Sequence, residues 1–337
     1  EDFVWYSIGN WRMYDKPEHG LRGEFVLERK YLYEAGGGKP STIKADDGIR
    51  VSLYIAEAVA NGGFGYARGP DYRDPATRAV VERYFDFLRR HETLYRGARP
   101  CSEAALVWHR AAVHRGDVQH IPVFKHVGRL LIKNHVTLDV LLDENIGAER
   151  LARYRAVFVP DLQDLSGEQR KLLQTYIRNG GTVVDCQPGE SGAAELGGDV
   201  ELTAQTLADI PLTEHGKLKK YLDRWMPERS GLQGADGLAL TCFSLRDGGR
   251  RVAHVVNYER DRNPDKEQGR RPLQTPIPRA NVRVTFRLEP GEEANAVKVM
   301  TPEDPEPAAV DFRQQGEVVT WTIPRLSAYA VSVLEVP

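Results

Sequence analysis

Cys186 and a group of five histidines have the side-chain types that do chemistry, and spacing decides what each can do. Cys186 follows Thr182-Val183-Val184-Asp185, which reads as a parallel strand. A thiol at such a strand end becomes a nucleophile when a histidine activates it and a helix N-terminus lowers its pKa. Against that, Pro188 and the Gly-rich stretch to Gly198 do not read as an immediate helix, and no His-x-Glu follows. His215 is the nearest histidine downstream. His109, His114, His120, His126 and His135 lie in one short region at spacings of five, six, six and nine. Metal binding usually sets ligands four apart on a helix or adds thiol or acidic partners, so these spacings do not read as a metal centre. Gly36-Gly37-Gly38 and Gly62-Gly63 follow helical stretches rather than strands, which removes a phosphate loop and leaves no call for a nucleotide cofactor.

The elements that must hold these residues come in three sets. From Ala104 to Cys186 the pattern is strand and helix in alternation. Ala104–Trp108, Leu138–Leu142, Ala156–Pro160 and Thr182–Asp185 read as strands, and Ala156–Pro160 is continuous and apolar as parallel strands buried on both faces are. Between them, Val123, Phe124, Val127, Leu130 and Leu131 stripe a helix entered at Pro122. Ser166-Gly167-Glu168-Gln169 fits a capping box for another helix, which stops at Asn179-Gly180-Gly181. This is a doubly wound layout.

Upstream, Phe3–Ile8, Pro40–Ala45 and Phe64–Ala67 read as strands, separated by helices over Phe25–Ala35 and Val51–Ala60. Asp74-Pro75 starts a third helix with Val80, Val81, Tyr84, Phe85 and Leu88 on one face. Three such units cannot close a sheet alone; they look like the last three-eighths of a (β/α)8 barrel entered late. From about Leu238 the period becomes two. Val282, Val284, Phe286 and Leu288, then Val319, Trp321 and Ile323, then Tyr329, Val331 and Val333 alternate with polar residues, as in an antiparallel sandwich with one wet face. The charged stretch from Arg260 to Arg279 reads as a solvated loop. The expected division is 1–100, 101–235 and 236–337, and the class is α/β plus β: an incomplete (β/α)8-barrel tail, a flavodoxin-like doubly wound domain and a C-terminal antiparallel β-sandwich.

Composition bounds the rest. With 46 basic and 48 acidic residues in 337, and 41% hydrophobic, the chain reads as a soluble globular protein of two or three domains, with no electrostatic reason to bind nucleic acid. No uncharged apolar run approaches the ~18 residues that cross a membrane. Three scattered cysteines give neither a disulfide framework nor a zinc site. The sequence opens on Glu1 without a basic-then-apolar leader, and so reads as processed or as a piece of something longer; compartment, cytoplasmic or exported, is open.

Certain stretches carry a family resemblance. Ala58-Val59-Ala60-Asn61-Gly62-Gly63, then Leu151-Ala152-Arg153-Tyr154-Arg155-Ala156-Val157-Phe158-Val159-Pro160-Asp161, Leu165-Ser166-Gly167-Glu168-Gln169, Tyr176-Ile177-Arg178-Asn179-Gly180-Gly181-Thr182 and Ile323-Pro324-Arg325-Leu326-Ser327-Ala328-Tyr329 make the chain resemble the C-terminal part of β-galactosidase-like glycoside hydrolases that carry a trimerisation domain, glycoside hydrolase family 42 and its relatives. The resemblance implies a carbohydrate substrate, a homo-oligomer such as a trimer, no cofactor, and retaining hydrolysis by two carboxyls about 5 to 5.5 Å apart. It places these at the ends of the fourth and seventh barrel strands. The fourth, with its Asn-Glu pair, lies upstream of Glu1, so this chain alone is expected to lack the acid/base. At the end of the seventh stand Asp46-Asp47 where the family has Glu, one methylene longer. Asp46 and Asp47 also read as a loop carboxylate or a helix cap ahead of Val51. A rival register makes Tyr31–Tyr33 the strand and Glu34 the nucleophile. Trp5, Tyr6 and Trp11 fit sugar faces at the barrel mouth and fit equally as ordinary strand-end aromatics. The middle layout is shared with glutamine amidotransferase-like domains, which is what would make Cys186 a nucleophile.

Overall fold

The computed structural model of the protein describes residues 4–8, 24–45, 51–67, 72–186, 207–233, 237–245, 249–260 and 275–337. Contacts divide it into two units: Glu1–Cys101 with Ser230–Pro337, and Ser102–Arg229. The segments read from sequence as 1–100 and 236–337 therefore share one unit.

In the first unit, strands β1 (Val4–Ile8), β2 (Ser41–Ala45) and β3 (Phe64–Ala67) form a parallel sheet in that order, with Ile8 paired to Ala45 and Ala45 to Ala67. Helices α1 (Glu24–Ala35), α2 (Val51–Ala60) and α3 (Pro75–Arg90) accompany them. All ten residues of α2 are buried. Its sequence, VSLYIAEAVA, is apolar on every side apart from Ser52 and Glu57, the pattern of a helix with protein all round. It packs on α1, β2, β3 and α3 and also on strand β11 (Arg250–Asn257), far along the chain. Its exit is tight. Gly62 takes φ +77°, and a Cβ on Gly63 would lie 2.2 Å from the Ser41 carbonyl oxygen.

Helix α3 starts as its sequence dictates: Asp74 caps it by accepting from the Thr77 amide at 3.0 Å, and Pro75 fills the first turn. Its buried face is not the expected stripe. Thr77, Tyr84 and Phe87 are buried, whereas Phe85 is 45% exposed. The helix is turned so that the Phe87 ring meets Tyr329 edge-on, 6.1 Å away, a contact with the C-terminal strand that helical periodicity alone does not contain.

The C-terminal part of this unit holds two antiparallel sheets. The six-stranded one runs β14-β13-β17-β11-β10-β4, made of β4 (Arg99–Pro100), β10 (Leu238–Ser244), β11, β13 (Ala296–Met300), β14 (Ala308–Ala309) and β17 (Tyr329–Glu335). The four-stranded one runs β15-β16-β12-β9, made of β9 (Gly231–Gln233), β12 (Arg279–Arg287), β15 (Phe312–Gln315) and β16 (Val318–Leu326). Val284, Phe286, Trp321 and Ile323 belong to the core between them. Strands β12 and β16 alternate buried with exposed or half-buried residues, as expected of a half-wet sheet. The expected wet face fails for the other sheet: six consecutive residues are buried in each of β10, β11 and β17. Here the outward face is covered by the α2 and α3 side of the unit. The Thr241 hydroxyl donates to the Ala60 carbonyl, His254 Nδ1 meets the Tyr329 hydroxyl at 2.7 Å, and that hydroxyl meets the one of Tyr95 at 3.1 Å.

The second unit is built on four parallel strands, β5 (Ala104–Trp108), β6 (Leu138–Leu142), β7 (Ala156–Val159) and β8 (Thr182–Asp185), in the order β6-β5-β7-β8. The first strand in sequence lies inside the sheet, so the winding reverses between β5 and β7. Helices α4 (Arg110–His114), α5 (His120–Lys133), α6 (Ala148–Leu151), α7 (Gly167–Arg178) and α8 (Lys219–Trp225) join and follow them. The capping box on α7 is present: Ser166 Oγ accepts from the Gln169 amide at 3.2 Å and the Ser166 amide donates to Gln169 Oε1 at 2.7 Å. Gly180 at φ +90° ends that helix, and Gly181 leaves room for the Tyr176 ring, which a Cβ would meet at 2.2 Å.

Candidate functional site

The carboxyl ends of β1, β2 and β3 lie side by side, with Ile8, Ala45 and Ala67 in register. Asp46 and Asp47 directly follow Ala45 in sequence and, with Trp11, lie outside the described residues. Trp5 and Tyr6 sit within β1, paired with Thr42 and Ile43. Glu34 is in the last turn of α1 and buried. The rival register is thereby corrected. Tyr31–Tyr33 is helical, because Val26, Leu27, Arg29, Lys30 and Glu34 form one buried helical face, and no strand end aims Glu34 anywhere.

In the same unit, α2 holds a buried charge cluster that sequence reading missed. Glu57, 1% exposed, accepts from the Tyr258 hydroxyl at 2.8 Å. Burial raises its pKa above the ordinary carboxylate value; Arg29, the Tyr258 bond and Arg260 oppose that rise. Arg260 donates to the carbonyls of Asn257 at 2.6 Å and Glu259 at 2.8 Å. The Asn257 side chain donates in turn to the carbonyls of Ile277 and Ser327. The cluster fixes α2 against the end of β11. Since Val51 is also fully buried, the five residues from Asp46 to Arg50 join two fixed points, Ala45 and Val51. One acidic residue inside a ten-residue apolar helix is the signal that could have marked Glu57.

In the second unit the strand ends bring together His109 after β5, Asp143 after β6 and Asp161 after β7. His120, at the start of α5, completes a pair with His109. Their rings are 5.0 Å apart and perpendicular, with Trp108 edge-on to His120 at 5.5 Å. Both histidines are buried, and among the described residues none of their ring nitrogens has a hydrogen-bond partner. Among the charges around them, Asp164 has its Oδ2 3.6 Å from His120 Nδ1. Burial, then the neighbouring His120 and Arg115, pushes His109 down to about 3. Burial also lowers His120, against the pull of Asp164, Asp117, Asp143 and Asp161. The carboxylate of Asp143 is occupied by the Arg110 and Ala111 amides at 3.1 and 3.2 Å. The result is a pair of neutral imidazoles beside the Asp164 carboxylate. Spacing along the chain hid it, because one ring comes from a strand end and the other from the second helix on. Among the described residues no group of three or more His, Cys, Asp or Glu is arranged to hold a metal.

Cys186 lies at the end of β8 with zero exposure, its Sγ 3.7 Å from the Val184 carbonyl. Burial, with Asp185 beside it, pushes the thiol well above its ordinary value. That is the opposite of an activated thiolate.

No protein-family model matches the chain, and no curated protein matches it significantly. Solved structures do. The α-L-fucosidase isoenzyme 2 from Paenibacillus thiaminolyticus is similar with a TM-score of 0.66 and 14% identity, over 93% of this chain and 63% of that one. The β-galactosidase from Bacillus circulans sp. alkalophilus is similar with a TM-score of 0.60 and 11% identity, over 99% and 60%. The β-galactosidase from Rahnella sp. R3 follows at 0.56 and 13%, over 96% and 60%. The chain thus spans about three-fifths of the length of these structures. At such identities the likeness is one of fold: mixed helix and sheet in several sheets, as in glycoside hydrolases.

Proposed function

We propose that this chain is the C-terminal portion of a β-galactosidase-like glycoside hydrolase that acts on β-linked carbohydrate with two carboxyls. The observation that carries the reading is the likeness of nearly the whole chain to sugar-cleaving enzymes. The parallel set β1-β2-β3 with its helices supports a barrel tail, and the order β6-β5-β7-β8 supports a flavodoxin-like domain of the trimerisation type. In this reading Asp46 or Asp47, following the carboxyl end of β2, is the nucleophile. The acid/base comes from a strand that the chain does not contain. Retaining hydrolysis needs the two carboxyls about 5 to 5.5 Å apart. An Asp nucleophile, one methylene short of Glu, asks the sugar to sit correspondingly deeper. Trp5, Tyr6 and Trp11 are the aromatic faces on offer to it.

The test is hydrolysis of nitrophenyl glycosides by the chain and by a version extended upstream in the gene, each with Asp46→Asn and Asp47→Asn. Activity in the extended protein that one of the two substitutions abolishes supports the reading. Activity in neither protein overturns it. A second reading, a non-catalytic assembly or carbohydrate-binding scaffold, is favoured by Asp standing where the resemblance has Glu. It predicts sugar binding or an oligomer by light scattering without turnover.

A further inference from the structure

The second unit carries a cleft at the amino end of its sheet, away from the strand ends discussed above. Its volume is about 560 Å³, and its walls come from α6, the end of α7 with the following Gly180-Gly181 turn, Arg155 ahead of β7, and the end of α8. Preformed ligand sites have volumes of this order, roughly 300 to 1,000 Å³. The floor is apolar and rigid. Tyr154, Tyr176 and Trp225 are almost fully buried, and the Tyr176 hydroxyl is tied to the Tyr154 carbonyl at 2.9 Å.

The polar rim decides what fits. Arg155 donates to Glu103 at 3.0 Å and to the Pro227 carbonyl at 2.7 Å. Those two bonds orient its guanidinium and leave N–H groups over, since arginine has five. Its charge is compensated by Glu103, and Arg224 is a second basic residue of the lining. The lining also includes the carbonyl end of α7, the negative pole of that helix, with the exposed side chain of Asn179. An anion would face the helix pole, and a cation would face the arginines. A neutral molecule with several hydroxyls satisfies both, donating to carbonyls and accepting from guanidinium, with its C–H face on the apolar floor.

We infer that this cleft is a sugar-binding site separate from the hydrolytic edge, taking a neutral mono- or disaccharide. The choice of sugar among neutral polyols rests on the proposed glycosidase reading; binding itself requires no turnover, so the two can fail separately. The experiment is methyl NMR on the intact chain, reading Ala148, Leu151, Leu172 and Thr175, which line the cleft. Methyl β-galactoside, lactose, galacturonate, galactosamine and inositol are titrated in turn. Expected is saturable shifting of these methyls by the two neutral sugars, with affinity weakened about tenfold or more in Thr175→Trp, which fills the cleft from an exposed position. Asn179→Ala, a second exposed rim position, is expected to weaken the same sugars if the tryptophan variant misfolds. No shift with any neutral sugar overturns the inference. So does tighter binding of galacturonate or galactosamine, equal binding of inositol, or unchanged affinity in a folded variant.

Discussion

The Tyr258 hydroxyl donates to Glu57 at 2.8 Å, tying the only acidic residue of a buried helix to the end of a sandwich strand 201 residues away. Helix and sandwich are covered by each other. Neither buries its outward face without the other, which is why the sheet lacks the wet face that its sequence suggests.

The first prediction concerns this lock. Because burial raises the Glu57 pKa, the charged form is held at a cost that Arg29 and Arg260 offset only in part. A neutral isostere that still accepts from Tyr258 should be tolerated: Glu57→Gln is expected to change unfolding free energy by about 1 kcal/mol or less. Glu57→Ala leaves the Tyr258 hydroxyl without its buried acceptor and should cost about 1 to 3 kcal/mol more than the glutamine variant. Urea unfolding of the two variants side by side checks the order; equal losses would mean that the Tyr258 hydrogen bond is not what holds α2.

Acid should weaken both units. His109 in the second and His254 in the first are each pushed down to about 3 by burial. Below pH 6.5 the unfolded chain takes up a proton at each that the native state refuses. The unfolded state therefore binds more protons, and stability rises with pH over the window from about 3 to 6.5. The slope is about 1.4 kcal/mol per pH unit for each such histidine. Trp108, edge-on to His120, reports on the second unit. Following its fluorescence in urea from pH 7 to pH 4, the His109→Leu variant should lose stability less steeply than the parent by about that slope. Parallel curves would refute the assignment.

Thiol reactivity should rank by burial. Cys101 is half-buried, whereas Cys186 and Cys242 are buried. Iodoacetamide is expected to label Cys101 first, and the other two only at the rate of unfolding. Fast, selective labelling of Cys186 would instead restore nucleophilic chemistry at the end of β8.

These outcomes also mark how far the sequence was legible. Strands β5, β6 and β8 and helix α2 lie where periodicity and turn residues put them, since their boundaries are set by neighbours in sequence such as Asn61-Gly62 and Asn179-Gly180. What sequence could not show depends on distant partners. Phe85 is exposed and Phe87 buried because Tyr329 is the neighbour, and β10, β11 and β17 have no wet face because the α2 and α3 side covers them. The His109–His120 pair is invisible to spacing for the same reason. Asp46 and Asp47 have their flanks fixed by Ala45 and Val51, and their own placement lies outside the described residues.

The Asn61-Gly62-Gly63 exit from α2 gives a last prediction, in which two adjacent glycines fail for different reasons. At Gly62 an added Cβ meets only ordinary contacts, 3.6 Å from Phe243 and Tyr33, but φ is +77°. Alanine there should cost about 1 to 2 kcal/mol, the backbone penalty of the left-handed region. At Gly63 the obstacle is the Ser41 carbonyl oxygen at 2.2 Å, part of the backbone at the start of β2. No rotamer relieves that clash; β2 must move away from the turn that leads into β3. Gly63→Ala should therefore cost more than Gly62→Ala, at or above the roughly 1 to 3 kcal/mol usual for overpacking. Gly62→Asn, a residue that tolerates positive φ, should recover part of the loss at the first position, and no substitution should do so at the second. Unfolding free energies of the three variants decide it, and a Gly63→Ala protein as stable as the parent would show that β2 and β3 are not held as closely as the geometry of this turn requires.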